Sequence, residues 1–200
     1  MVTVLSVLST QAQTFTNGNS LLPGSYHSGG CVGFTDMDGD GFDDLVVLDE
    51  SEELHVLYQG ADGTFNDIYY GQVSSSNQWG MCVADYDNDG HKDVFSGGSY
   101  DGVFVQHITS PGVSESISLQ PGSMFMQACN WADINNDGYL DVFACHDDAL
   151  SRMWKGDADG NLTANINASG HNKGPLMEKI IKDFGLASSE VAAVGDTCLL

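Results

Sequence analysis

Short runs of β-branched and aromatic residues, bounded by Gly, Asp and Ser, recur along the 200-residue chain. They fall into sets of four. The first run of each set covers 30–34, 79–84 and 125–132, and the second 45–48, 94–95 and 142–144. The third covers 54–58, 103–108 and 150–154, and the weaker fourth 65–70, 116–119 and 162–166. These runs have the length and composition of strands, and ahead of residue 171 none is long enough for a regular helix. Four strands in a unit of just under fifty residues is the size of a propeller blade. The pattern therefore predicts an all-β fold of β-propeller-type blades, three of them recognisable.

Between the first and second strand of each set lies one repeated loop. Its copies are Asp36-Met37-Asp38-Gly39-Asp40-Gly41-Phe42-Asp43-Asp44, Asp85-Tyr86-Asp87-Asn88-Asp89-Gly90-His91-Lys92-Asp93 and Asp133-Ile134-Asn135-Asn136-Asp137-Gly138-Tyr139-Leu140-Asp141. The first residues of the copies are 49 and 48 positions apart. Each copy carries an oxygen-bearing side chain at positions 1, 3, 5 and 9 and Gly at position 6. A hard cation such as Ca²⁺ takes six to eight oxygen ligands, and alternate side chains of a tightly turned loop can converge on one. Candidate metal ligands are thus Asp36, Asp38, Asp40 and Asp44 in the first loop, with the backbone carbonyl of Phe42. In the second they are Asp85, Asp87, Asp89 and Asp93 with the carbonyl of His91. In the third they are Asp133, Asn135, Asp137 and Asp141 with the carbonyl of Tyr139. A single loop of this kind would be an ordinary turn; three predict about three Ca²⁺ sites. Asn135 makes the third loop the least charged, so it is expected to hold calcium most weakly.

A second echo links the outer sets. Residues 59–65, with Gly60, Asp62 and Gly63, return as 155–162, with Gly156, Asp159 and Gly160, each a hairpin between third and fourth strands. The middle set has Thr109-Ser110-Pro111-Gly112 instead, which requires another turn. Over residues 29–168 these loops and hairpins resemble FG-GAP/VCBS repeats, the calcium-loop blades of the integrin α-subunit propeller and of many secreted bacterial proteins. The resemblance implies a propeller with a Ca²⁺ in each loop and a role in adhesion, protein or carbohydrate binding, or surface display. Propellers close with about four to eight blades. Three blades imply a fragment of a longer ring, completion by the tail, or self-association through open blade edges.

The formal charge is −22, from 28 acidic and 6 basic side chains. That balance excludes nucleic acid as a partner, because phosphates would be repelled. Residues 1–13 contain the apolar run Val2–Leu8 followed by small and polar residues, which reads as a signal peptide, although no Lys or Arg precedes the run. The expected location is therefore extracellular or on the cell surface. No other segment has the roughly 20 apolar residues of a membrane span. Cys129 and Cys145 lie evenly about Asp137 and can either bridge across the strand pair or remain small buried residues. Asn161-Leu162-Thr163 and Asn167-Ala168-Ser169 fit the N-glycosylation pattern. Trp79 and Trp131, both ahead of a loop, are expected in the core, Trp154 is open to core or ligand use, and His146 is placed in a solvated loop.

The last thirty residues differ. Leu176, Ile180, Ile181 and Phe184 fall at helical spacing, with Pro175 suited to the first turn and Gly185 to the stop. Residues 191–194 then read as a strand leading to Gly195-Asp196. This stretch resembles the end of a haloacid dehalogenase-type phosphatase core, where such an Asp helps hold Mg²⁺, but every Asp-x-Asp in the chain sits in a calcium loop or hairpin. No other set of residues has the spacing of a catalytic constellation. The division expected is a signal peptide at 1–13, three blades at 14–170 and a helix-strand tail at 171–200. The function expected is a non-enzymatic calcium-binding module for adhesion or for a protein or carbohydrate ligand. The alternative is the accessory propeller of an enzyme whose catalytic domain begins in the tail.

Overall fold

The computed structural model describes residues 14–121, 124–149 and 151–167, together with 178, 181, 182 and 185. Among these described residues twelve strands form three four-stranded antiparallel sheets. The first blade holds β1 (Val32–Thr35), β2 (Asp44–Asp49), β3 (Glu53–Gln59) and β4 (Phe65–Gln72). The second holds β5 (Gln78–Ala84), β6 (Asp93–Gly98), β7 (Gly102–Ser110) and β8 (Val113–Pro121). The third holds β9 (Met126–Ala132), β10 (Asp141–His146), β11 (Arg152–Gly156) and β12 (Leu162–Asn167). In every sheet the strands lie in chain order, so each blade is a simple meander. The first strands stand side by side, β1 against β5 and β5 against β9.

Packing between blades explains why the second strands read as unbroken apolar runs rather than alternating ones. A sheet buried on both faces has no solvent side to make polar. One face of the first blade (Val46, Leu48, Leu54, Val56) meets Val94 and Ile108 of the second in a shared core. The other face of the second blade (Phe95, Val103, Val105) meets Met126, Trp131, Val142 and Trp154 of the third. On the outer side of the first blade, Leu45, Val47 and Leu57 are covered by Leu22 and Tyr26 of the segment leading into β1. Each such Val or Leu, fully buried, contributes about 1.5–3 kcal/mol.

Three details depart from the pattern in the sequence. The run at 94–95 is part of a longer buried strand, because Ser96, Gly97 and Gly98 continue β6. Their small size is a packing requirement: a Cβ on Gly97 would stand 2.6 Å from Val103 Cγ1 and 3.0 Å from Met126 Cε. Trp79 is not a core residue. It is 41% exposed and packs edge-on against Phe125, whereas Trp131 and Trp154 are both buried. His146 is not in a solvated loop either: it closes β10 with a side chain only 4% exposed.

The middle hairpin is indeed built differently. Ser110 pairs directly with Val113, leaving Pro111 and Gly112 as a two-residue turn with Gly112 at φ 84°. Pro presets the first turn position and Gly supplies the positive φ of the second. The first and third blades use the longer Gly-bearing loops 60–64 and 157–161 instead. Glu178, Ile181 and Lys182 are helical, and the rest of the tail, like the segment 1–13, lies outside the described residues. Among the described residues no helix is long and apolar enough to cross a membrane.

Candidate functional site

The three loops sit at one end of the blades, each joining a first strand to a second, and they are wired alike. The carboxylate at position 1 accepts the N–H groups of positions 5 and 6. Asp36 takes Asp40 at 3.1 Å and Gly41 at 3.0 Å. Asp85 takes Asp89 and Gly90, both at 3.0 Å. Asp133 takes Asp137 at 3.1 Å and Gly138 at 2.9 Å. Position 3 accepts the position 5 N–H through Asp38, Asp87 and Asn135, at 3.2, 3.3 and 3.2 Å. Position 5 accepts the position 7 N–H, so Asp40, Asp89 and Asp137 hold Phe42, His91 and Tyr139.

This winding needs a left-handed backbone twice. Gly41, Gly90 and Gly138 at position 6 have φ of 91°, 94° and 91°. Position 4 is left-handed as well, with Gly39 at 79°, Asn88 at 61° and Asn136 at 55°. Gly and Asn are the residues that tolerate this region, and the Gly/Asn/Asn series at position 4 was a signal for it in the sequence.

The ninth residues, expected as metal ligands, have a hydrogen-bonding part that the spacing did not foretell. Asp44 accepts Met37 N–H and Gln59 N–H, each at 2.8 Å. Asp93 accepts Tyr86 and Ile108, and Asp141 accepts Ile134 and Gly156. Each is a bracket that ties position 2 of its loop to the end of the third strand. All three are buried to 1% exposure or less. Burial raises the carboxyls of Asp44 and Asp141 above the ordinary range against the pull of those N–H donors. The Asp93 carboxyl is pushed up to about 7, by burial first, with the Ile108 N–H and His107 working against it.

Position 2 itself is an anchor that the ligand pattern did not reveal. Met37 and Tyr86 are buried, Met37 in the core between the first two blades and Tyr86 in the core between the second and third. The loops also touch one another. Lys92 donates its backbone N–H to Met37 O at 3.0 Å and its ammonium to Asp36 O. In the third blade the turn at Gly160 rests on Asp87 of the second loop.

What the loops bring together is hard oxygen chemistry. One carboxylate oxygen from each of Asp36, Asp38 and Asp40 lies within 4.8 Å of the others, and the same holds for Asp85, Asp87 and Asp89. Like charges at such spacing repel, by about 1 kcal/mol at 4 Å in bulk water and about 4 kcal/mol at an effective dielectric constant of 20. A divalent cation between them would reverse that sign, and a donor set made only of oxygen suits Ca²⁺ better than a softer metal. In the third loop Asn135 replaces a carboxylate, and its amide donates to Asp137 Oδ2 at 2.9 Å.

Of the two readings left open for Cys129 and Cys145, the bridge does not form. The register sets Cys129 opposite Ala144, so Cys145 projects from the other face and both thiols are free. The Cys129 thiol instead hydrogen-bonds Cys82 on the neighbouring blade.

The described residues thus form an all-β repeat protein of propeller-type blades with an acidic loop in each. The family model of the FG-GAP-like repeat matches residues 36–96, from the first position of the first loop through most of β6. The chain carries an FG-GAP-like repeat at this place. No curated protein matches it.

Proposed function

We propose that the chain is a calcium-stabilised binding module, secreted or displayed at a cell surface, in which calcium is structural rather than catalytic. The observation that carries this reading is the convergence of Asp36, Asp38 and Asp40, and of Asp85, Asp87 and Asp89, in loops wound by the same hydrogen bonds. Such loops gather carboxylates that repel until a cation joins them. The FG-GAP-like match at 36–96 supports the same reading, since repeats of this family often bind calcium. The apolar run Val2–Leu8 agrees with export. Adhesion, or capture of a protein or carbohydrate ligand, is the role that suits a rigid repeat scaffold with variable connecting loops.

The test is thermal unfolding with calcium and with a chelator. A ligand bound only by the native state stabilises it by mass action, by about 2.7 kcal/mol at a hundredfold excess over Kd. The melting temperature should rise with calcium and fall back with chelator, while magnesium at the same concentration gives a smaller rise. Identical melting curves in calcium and chelator would remove the proposal.

A further inference from the structure

Tyr58, His107 and Lys155 hold one place in the three blades. The pairs Leu45↔Leu57, Val94↔Gln106 and Val142↔Trp154 set each of them one step along, abreast of Asp44, Asp93 and Asp141. The next residues, Gln59, Ile108 and Gly156, all donate their N–H to that ninth carboxylate, which fixes the equivalence.

From this place His107 and Lys155 reach carboxylates of their own loops while Tyr58 turns to Tyr70, and the three differ in charge. Tyr58 brings a neutral phenol whose hydroxyl is engaged with that of Tyr70 at 2.6 Å. His107 brings an imidazole, with Nδ1 3.2 Å from Asp93 and 3.6 Å from Asp87. Lys155 brings an ammonium, and its Nζ stands 2.9 Å from Asp137 Oδ2. The same oxygen also accepts from Asn135. Asp137 is the fifth-position residue, one of those on which a metal in the third loop would depend. The Lys155 ammonium holds its carboxyl below the ordinary range, with the Asn135 amide and Tyr139 N–H adding to the effect.

We propose that Lys155 is a built-in counter-ion for the third loop, standing where a metal ion would, so that the chain binds two calcium ions, in the first and second loops, and not three. The inference rests on the calcium reading given above. At positions 1, 3, 5 and 9 the first two loops each present four carboxylates and the third presents three, facing an ammonium. An ammonium tethered to the neighbouring strand is always at hand, and a calcium ion entering the third loop would have to displace a charge-assisted hydrogen bond before making its own. Substituting Asn at position 3 fits the same design, because a loop closed by an internal cation needs fewer negative charges.

Isothermal titration of the full chain with calcium chloride decides it. The expected stoichiometry is two. Asp89→Ala should lower it to one, while Asp137→Asn leaves it at two. Lys155→Met should raise it to three, with the third site at least tenfold tighter than any residual binding there in the parent chain. Lys155→Gln serves as a second variant should the Met form fail to fold, with circular dichroism as the check. Three comparable sites in the parent chain overturn the inference and leave the calcium reading standing, as does a stoichiometry of two in a folded Lys155 variant. An absence of calcium binding overturns both.

Discussion

Tyr86 stacks on Trp131, with ring centroids 5.6 Å apart and planes 13° from parallel. The first residue belongs to the acidic loop of the second blade and the second to β9 of the third. The stack therefore joins a loop to the core between blades, and Phe95 closes on Trp131 from the side at 5.9 Å. Tyr86→Ala should cost about 3–5 kcal/mol, the usual range for removing a buried aromatic. Urea denaturation followed by tryptophan fluorescence measures it, and a loss under about 1 kcal/mol would show that the stack does not hold the blades together.

The proposed ligand Asp38 and the bracket Asp44 should be separable by mutation. Asp44→Ala strands the N–H groups of Met37 and Gln59, and leaving buried donors unsatisfied costs about 1–3 kcal/mol each. The variant should be destabilised by about 2 kcal/mol or more even in chelator. Asp38→Ala removes one member of a repelling set, a carboxylate that accepts Asp40 N–H at 3.2 Å. In chelator it should change stability by less than about 1 kcal/mol, while losing part of the calcium response. Equal losses for the two variants in chelator would contradict this division of labour.

Asp101 supplies an acid-sensitive clamp away from the loops. Its Oδ2 accepts Ser74 Oγ at 2.6 Å, Ser75 N at 2.8 Å and Ser75 Oγ at 3.0 Å, tying the connection between the first two blades to the β6–β7 turn. These donors lower its carboxyl from the ordinary value. A carboxyl lowered in the folded state contributes stability that is present above the unfolded value of about 3.9 and is lost as pH falls through the folded one. Melting temperatures of the parent and Asp101→Asn should therefore differ at pH 6, with the gap starting to close only below about pH 4 and vanishing once pH has fallen through the lowered folded value. A gap that widens on acidification would contradict the assignment.

Two glycines on neighbouring blades should respond very unequally to alanine. A Cβ on Gly98 would stand 2.0 Å from Asn77 O and 2.6 Å from Gln78 Cα, and backbone atoms cannot turn aside. On Gly33 the nearest atoms are Met81 Cε and Val83 Cγ2, both at 3.7 Å. Gly98→Ala should cost about 3 kcal/mol or more, at the upper end of overpacking, and Gly33→Ala less than about 1 kcal/mol. Thermal melts of the two variants side by side make the comparison.

The strands were legible because each apolar run is local and ends in residues that turn. The repeat of the loops and their turn glycines was legible for the same reason, since positions 1, 3, 5 and 6 lie within a single turn of chain, whereas the hydrogen bonds that wind them were not foreseen. What the sequence hid is contact between blades. Cys129 meets Cys82, which lies 47 residues away, rather than the evenly spaced Cys145. Trp79 and Trp131 both precede loops, yet they stand six and two residues ahead and so fall at different places on their strands. Lys155 is equivalent to Tyr58 only through strand register, whereas the hairpin echo in the sequence, one residue out of step with the strands, sets it beside Gln59. Met37 and Tyr86 at position 2 were in view as apolar residues inside polar loops, which was the available sign that they are anchors.

The brackets formed by Asp44, Asp93 and Asp141 bear on how fast an ion would be captured. Each loop is already wound around its own carboxylates and clamped at its base, with the left-handed turns in place. Little chain entropy is left to lose when an ion arrives, so capture need not wait for the loop to order. In the first and second loops, where calcium is proposed, ion entry should then run close to the rate at which calcium sheds water, and those two loops should differ chiefly in how quickly they let it go, whereas entry to the third must first displace Lys155 from Asp137.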